Sequence, residues 1–195
     1  MKILVTGGAG FIGTNLIKRL VKEGHKVSSI DNYDSGLVSN HQNGVIYKDD
    51  DITNVHRMPR DFDKIFHLAA LSRIQPSFNN PSETFRVNAL GTQHVLDFAR
   101  NIGAKVVYAG SSSRWHDPYQ SPYAAYKHIG EEVCKMYKKT YGTDVEIARF
   151  YNVYGPGEIV HGDWAAVIGI WRRQAEAHDP ITIVGDGEQR RDFTY

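Results

Sequence analysis

Residues 111 to 127 read SSSRWHDPYQSPYAAYK: three consecutive serines, a tyrosine twelve positions after the first of them and a lysine four positions beyond that. Hydroxyl, phenol and ammonium in this order can pass a proton to or from a substrate, but the same residue types also make a polar turn that runs into an ordinary helix. Tyr126 is a second phenol close by, with Gly130 four residues on. What the stretch does depends on the elements that hold it.

Short apolar runs at 2–6, 26–30, 45–47, 64–68, 105–109 and 144–150 have the length and composition of strands, and helical patterns cover 11–23, 81–102, 122–141 and 163–177. Such alternation builds βαβ units, and nearly continuous apolar strands suit a parallel sheet buried on both faces. Pro81 and Pro122 open two of the helices, each after a residue able to cap the first turn, Asn80 and Ser121. The expected fold is α/β, a Rossmann-type doubly wound parallel sheet over residues 1–160. From YNVYGPGEIVHGD at 151–163 the rhythm loosens. Residues 161–195 are expected to begin a smaller, incomplete substrate-binding region.

In ILVTGGAGFIG, Gly7, Gly10 and Gly13 lie directly after the first strand and at the start of a helix. The first glycine permits the tight turn, the second lets a pyrophosphate reach the backbone, and the third allows close helix–strand packing, with the helix amino terminus supplying amides and a positive dipole end. The second strand ends in Asp31 and Asn32, eighteen residues past Gly13. A carboxylate there accepts from both ribose hydroxyls and repels a 2′-phosphate, so NAD is favoured over NADP. Asp51 and Ile52 are placed to hold the adenine edge.

Composition excludes several other classes. Lys plus Arg number 23 against 22 Asp plus Glu, a net charge of +1 with no basic stripe for nucleic acid. No run is long and apolar enough to span a membrane, and the opening MKILVTGGAG is too short for a signal-peptide core. The single cysteine, Cys134, falls within a helical pattern, which excludes an internal disulfide and suits a reducing, cytoplasmic location. The nine histidines form no HExxH or Cys/His cluster with ligand spacing, so no metal site is expected.

With TGGAGFIG, the Asp31-Asn32 pair, HLAA at 67–70, VNALGT at 87–92, the serine cluster, SPYAAYK, RFYNVYGP and GDGEQRRDF in this order, the chain resembles the extended short-chain dehydrogenase/reductase family. Within it, the similarity is to the nucleotide-sugar epimerase and dehydratase branch. The resemblance implies that Tyr123 and Lys127 are the family's YxxxK pair and that Ser111, with Ser112 as near rival, is its catalytic Ser/Thr. A free tyrosine titrates near 10. Positive charge from Lys127 and an oxidised nicotinamide is expected to lower Tyr123 so that it can take a proton from a sugar hydroxyl. The resemblance further implies cofactor contacts from Phe11, Ile12, Leu68, Ala69, Ala70, Asn88 and Tyr151, and substrate contacts from Asn152 and Arg191, the latter on a diphosphate. The motif in relatives closes on Tyr-Gly where this chain has Trp115-His116.

The activity implied is an NAD-dependent epimerisation of a nucleotide-sugar, most simply a UDP-sugar, through transient oxidation at C4. Dehydration or decarboxylation is the alternative; relatives of that kind carry an acidic residue just after the catalytic Ser/Thr, where this chain has Ser112 and Ser113. A non-catalytic NAD-binding module is the reading from another class. Because GDGEQRRDFTY matches only part of the family's motif, the expectation is a chain that binds NAD but holds UDP-sugars poorly. The resemblance also implies a homodimer through helices 81–102 and 122–141, with Ile129, Val133, Met136 and Tyr137 at helical spacing on the latter.

Overall fold

The computed structural model describes residues 1–195. Six strands, β1 (Lys2–Thr6), β2 (Lys26–Asp31), β3 (Ile46–Asp49), β4 (Lys64–His67), β5 (Lys105–Ser111) and β6 (Val145–Phe150), form one sheet in the order β3-β2-β1-β4-β5-β6. Every neighbouring pair is parallel. The strand order reverses between β1 and β4, and in open sheets of this kind a crevice opens at that point, beyond the carboxyl ends of the strands.

Alternation along β1 divides the core. Ile3 and Val5 pack with Ile17 and Leu20 of α1 (Phe11–Lys22) on one face, while Leu4 joins the larger cluster on the other. That cluster holds Ile30, Ile65 and Val106 of the sheet against Leu96 and Phe98 of α4 (Gly91–Ile102) and Cys134 and Tyr137 of α5 (Pro122–Tyr141). Asn80 and Ser121 cap as expected, their side-chain oxygens accepting from the Glu83 and Ala124 amides. No helix is long and apolar enough to cross a membrane.

Three departures from the sequence expectation shape the crevice. The expected helix 81–102 is interrupted: α3 (Pro81–Phe85) passes through a π-turn at Arg86–Leu90 before α4. A six-residue helix, α2 (Ile74–Asn79), stands where none is legible in the sequence. Too short to hold by propensity, it is tied to α5 by the Tyr123 amide donating to Ser77 Oγ at 3.1 Å. The last helix, α6 (Val167–Glu176), starts four residues later than expected, because Gly162 to Ala165 close a turn first. Pairing with β6 carries β5 on to Ser111, which therefore ends its strand opposite Phe150.

Candidate active site

A cleft of about 1110 Å³ lies along the carboxyl ends of the strands, lined by the segments that follow β1, β2, β4, β5 and β6. All of the expected site residues but one line it: Gly7, Gly10, Phe11, Ile12, Gly13, Asp31, Asn32, Asp51, Ile52, Leu68, Ala69, Ala70, Ser111, Ser112, Tyr123, Lys127, Tyr151, Asn152 and Arg191. Asn88 is the exception. It is 1% exposed, and its side-chain amide is paired with Leu71, accepting from the Leu71 amide and donating to the Leu71 carbonyl, both at 2.9 Å. It braces the loop after β4 and does not reach the cleft.

The glycine loop has the shape a dinucleotide needs. Gly7 has φ +71°, and a Cβ there would meet the Ala69 backbone at 2.9 Å; a Cβ on Gly13 would meet the Gly7 carbonyl oxygen at 2.2 Å. Both positions are closed to any side chain by backbone that cannot swing away. Gly10 differs, since a Cβ there would touch only the Gly7 carbonyl, at 3.3 Å, and the rest of the space in front of it is open. Gly10 also precedes α1 without a side-chain cap, and no acidic residue stands in the first turn of that helix. Free amides, a positive dipole end and an uncovered backbone fit a pyrophosphate.

Asp31 is 9% exposed and holds the loop from the side. One carboxylate oxygen accepts from the Ala9 amide at 2.8 Å and the other from the Tyr33 amide at 2.9 Å. A carboxylate has about four acceptor positions, so two remain for ribose hydroxyls. Asp51 is more committed. Its carboxylate makes a two-pronged ion pair with Arg86, 2.7 Å on each side, and caps the 3₁₀ turn Ile52–Arg57 through the Thr53 amide. The Arg86 guanidinium holds the Asp51 carboxyl well below the usual carboxylate range. Asp51 is therefore a fixed part of the cleft wall.

At the other end of the cleft stands the hydroxyl group of Ser111. The Tyr123 phenol donates to Ser111 Oγ at 3.3 Å, and Ser113 adds its hydroxyl at 2.9 Å and its amide at 3.2 Å. Two lone pairs cannot serve all three donors at once, so one of these hydroxyls is free to turn to a ligand oxygen. Tyr126 packs edge-on against Phe85, ring centroids 5.3 Å apart, and is no part of the cleft lining. Of the two phenols, Tyr123 is the one at the site.

The Lys127 ammonium is turned onto the Ala109 carbonyl at 2.6 Å and lies 4.5 Å over the Tyr108 ring. Burial raises the Tyr123 phenol above its ordinary value, opposed by the Ser111 hydrogen bond and by the charge of Arg73. Burial also draws Lys127 down to about 8. Arg73 was not singled out from the sequence; its only signal was a position just beyond a strand's carboxyl end. Its guanidinium donates twice to the Trp164 carbonyl, at 2.9 and 2.6 Å, joining the loop after β4 to the segment before α6.

Beyond β6, Asn152 lies in the left-handed region at φ +36°, where asparagine is among the better-tolerated residues, and donates to the Asp192 carbonyl at 2.7 Å. A single bridge, Val153 to Thr194, pins the returning chain. Arg191 faces the cleft but hydrogen-bonds only the adjoining Arg190 carbonyl, at 2.8 Å. Tyr151 accepts from the Trp115 indole at 2.7 Å.

A parallel sheet with a glycine-rich crossover, a strand-end carboxylate and a Ser-Tyr-Lys group in one cleft defines a dinucleotide-binding protein of the short-chain dehydrogenase/reductase type. The sequence pattern of the NAD dependent epimerase/dehydratase family matches residues 3–195, and the chain belongs to that family. It is 30% identical over 214 residues to UDP-glucuronic acid decarboxylase 1 of Xenopus tropicalis, with 100% of this chain and 50% of that protein aligned. A putative UDP-glucose 4-epimerase of Methanocaldococcus jannaschii is 32% identical over 211 residues, covering 99% of this chain and 69% of that one. The structure is similar to that of UDP-glucose 4-epimerase from Thermotoga maritima with UDP-glucose, at a TM-score of 0.94 and 28% identity, over 100% of this chain and 69% of that one. The chain thus spans about half the length of the first curated relative.

Proposed function

We propose that the chain carries the NAD-binding and proton-transfer part of a nucleotide-sugar 4-epimerase. The observation that carries this reading is the 3.3 Å contact of the Tyr123 phenol with Ser111, in the same cleft as the glycine loop and Asp31. Bound along the glycine loop, NAD supplies a hydride acceptor and a positive charge. Ser111 holds the reacting sugar oxygen and Tyr123 takes its proton, then returns it when the sugar carbonyl is reduced from the other face. Arg190 and Arg191, both on the cleft wall, offer cations to a diphosphate.

Decarboxylation or dehydration opening with the same oxidation is the second reading, favoured by the decarboxylase among the relatives. Against it, Ser112 and Ser113 follow Ser111, and no carboxylate stands beside it in sequence. We also infer a cytoplasmic homodimer. Phe85 and Leu90 on the α3–α4 run and Ile129 and Met136 on α5 are apolar and 36 to 44% exposed. Tyr137, expected on that face, is instead core, and Val133 packs against the core, so the face is narrower than the sequence suggested.

Tyr123→Phe tests the proton role. In the protein with its whole substrate region, turnover of UDP-sugars is expected to fall by about two to four orders of magnitude while NAD affinity stays within a few fold. Unchanged turnover would remove Tyr123 from the mechanism. Assay with UDP-glucose and UDP-glucuronate side by side separates epimerisation from carbon dioxide release.

A further inference from the structure

We propose that Trp115 is a binding residue for the sugar end of the ligand, offering an indole face to the apolar C–H side of a pyranose ring. The inference rests on the nucleotide-sugar reading above and goes further by naming what holds the ring. Trp115 lines the cleft and is 67% exposed. An indole left that open gains little from burial, and in solution it would be free to change rotamer. Here it is held.

Three bonded groups fix it in sequence. The indole N–H donates to Tyr151 Oη at 2.7 Å, and the Arg149 guanidinium lies 5.2 Å from the ring centre. Arg149 is itself gripped by Glu131, with contacts of 3.0 and 2.8 Å, and the Glu131 side chain is 1% exposed. The chain of contacts therefore starts on a buried carboxylate of α5, two helical turns beyond Tyr123. The ring is thus held by Tyr151 and Arg149 while most of its surface stays open, so a ligand meeting it has little ordering left to do.

Position selects the occupant. Residues 112–115 form a single 3₁₀ turn capped by Ser111, so at a rise of about 2.0 Å per residue the backbone of Trp115 stands about 8 Å along the chain from that of Ser111. A sugar ring whose hydroxyl sits on Ser111 and Tyr123 reaches that far. The base of the nucleotide is set off from the sugar by the whole diphosphate. An electron-rich indole face suits the C–H side of a sugar for the same reason that it suits a cation.

The test combines nuclear magnetic resonance with calorimetry on the full chain. The indole N–H signal of Trp115, assigned with Trp115→Phe, is followed during titration with UDP-glucose and with UDP, up to millimolar concentration. UDP-glucose is expected to shift it and UDP is not. Trp115→Ala is expected to weaken UDP-glucose about tenfold, within the range of a stacking contact, with UDP and NAD affinities unchanged within twofold. Trp115→Phe should keep most of the affinity. If Trp115→Ala weakens UDP as much as UDP-glucose, the partner is the base and the proposal is overturned. Equal loss of NAD affinity and of thermal stability would make the residue structural and overturn it likewise. If the unaltered chain binds UDP and UDP-glucose but Trp115→Ala changes neither, only the platform fails. If it binds neither up to millimolar concentration, the platform is overturned for this chain, while the nucleotide-sugar reading is decided separately by the Tyr123→Phe turnover assay.

Discussion

The two ends of the cleft are built on different physics. Around Gly7 to Gly13 and Asp31, the site is made of backbone held by backbone: a Cβ on Gly13 would sit 2.2 Å from the Gly7 carbonyl, and Asp31 ties the loop through the Ala9 and Tyr33 amides. The far end of the chain is open by comparison. Every residue from Ala175 to Tyr195 is exposed, and the return to the cleft is pinned by one bridge and a few hydrogen bonds at Tyr151 to Tyr154. Packing sets the glycine-loop end before any ligand arrives, whereas few contacts hold the other end in place.

A pair of glycine substitutions is the strongest way to break that contrast. Gly13→Ala forces a contact that no backbone there can relieve, and is expected to cost about 3 kcal/mol or more and to abolish NAD binding. Gly187→Ala, at φ +84° with its nearest neighbour Ile183 Cγ2 at 3.5 Å, should cost only about 1 kcal/mol from backbone strain. Urea unfolding of the two variants measures both; equal costs would mean that the open segment is packed as tightly as the loop.

Acid should act on the cofactor end. His67 is buried between the Thr6 and Thr92 hydroxyls, at 2.8 and 3.1 Å, and burial together with the charge of Lys127 depresses it to about 3. A neutral histidine in the fold that titrates near 6.5 when unfolded gives stability that is complete above pH 6.5. That stability is lost as pH falls toward 3, at up to about 1.4 kcal/mol per pH unit. His67→Gln should flatten that part of the stability profile. An unchanged slope would assign the acid sensitivity to carboxylates elsewhere.

A smaller effect is expected from Asp31→Ala. It removes both the ribose acceptor and the repulsion of a 2′-phosphate, so the preference for NAD over NADP should narrow by about tenfold in calorimetry. Equal or tighter NADP binding by the unaltered chain would sharpen the comparison in the other direction, since Asp31 would then serve the loop alone.

By itself the sequence determined the sheet, the glycine loop, the strand-end aspartate and the Tyr123–Lys127 spacing, because each follows from a local rule: apolar periodicity, glycine at a tight turn, and i to i+4 on one helical face. The family resemblance added most of the other cleft residues that could be named, but Arg73, Trp164 and many more of its lining were not named from the sequence. Asn88 looked alike as a site residue or a brace, and only the Leu71 backbone meeting its amide decided between them. Arg73, joined to Trp164 across 91 residues, and the turning of Lys127 onto Ala109 were likewise settled by tertiary contact. So was the direction of the Tyr123 shift, since the desolvation that raises a phenol depends on everything packed around it and has no signature in the spacing of a motif.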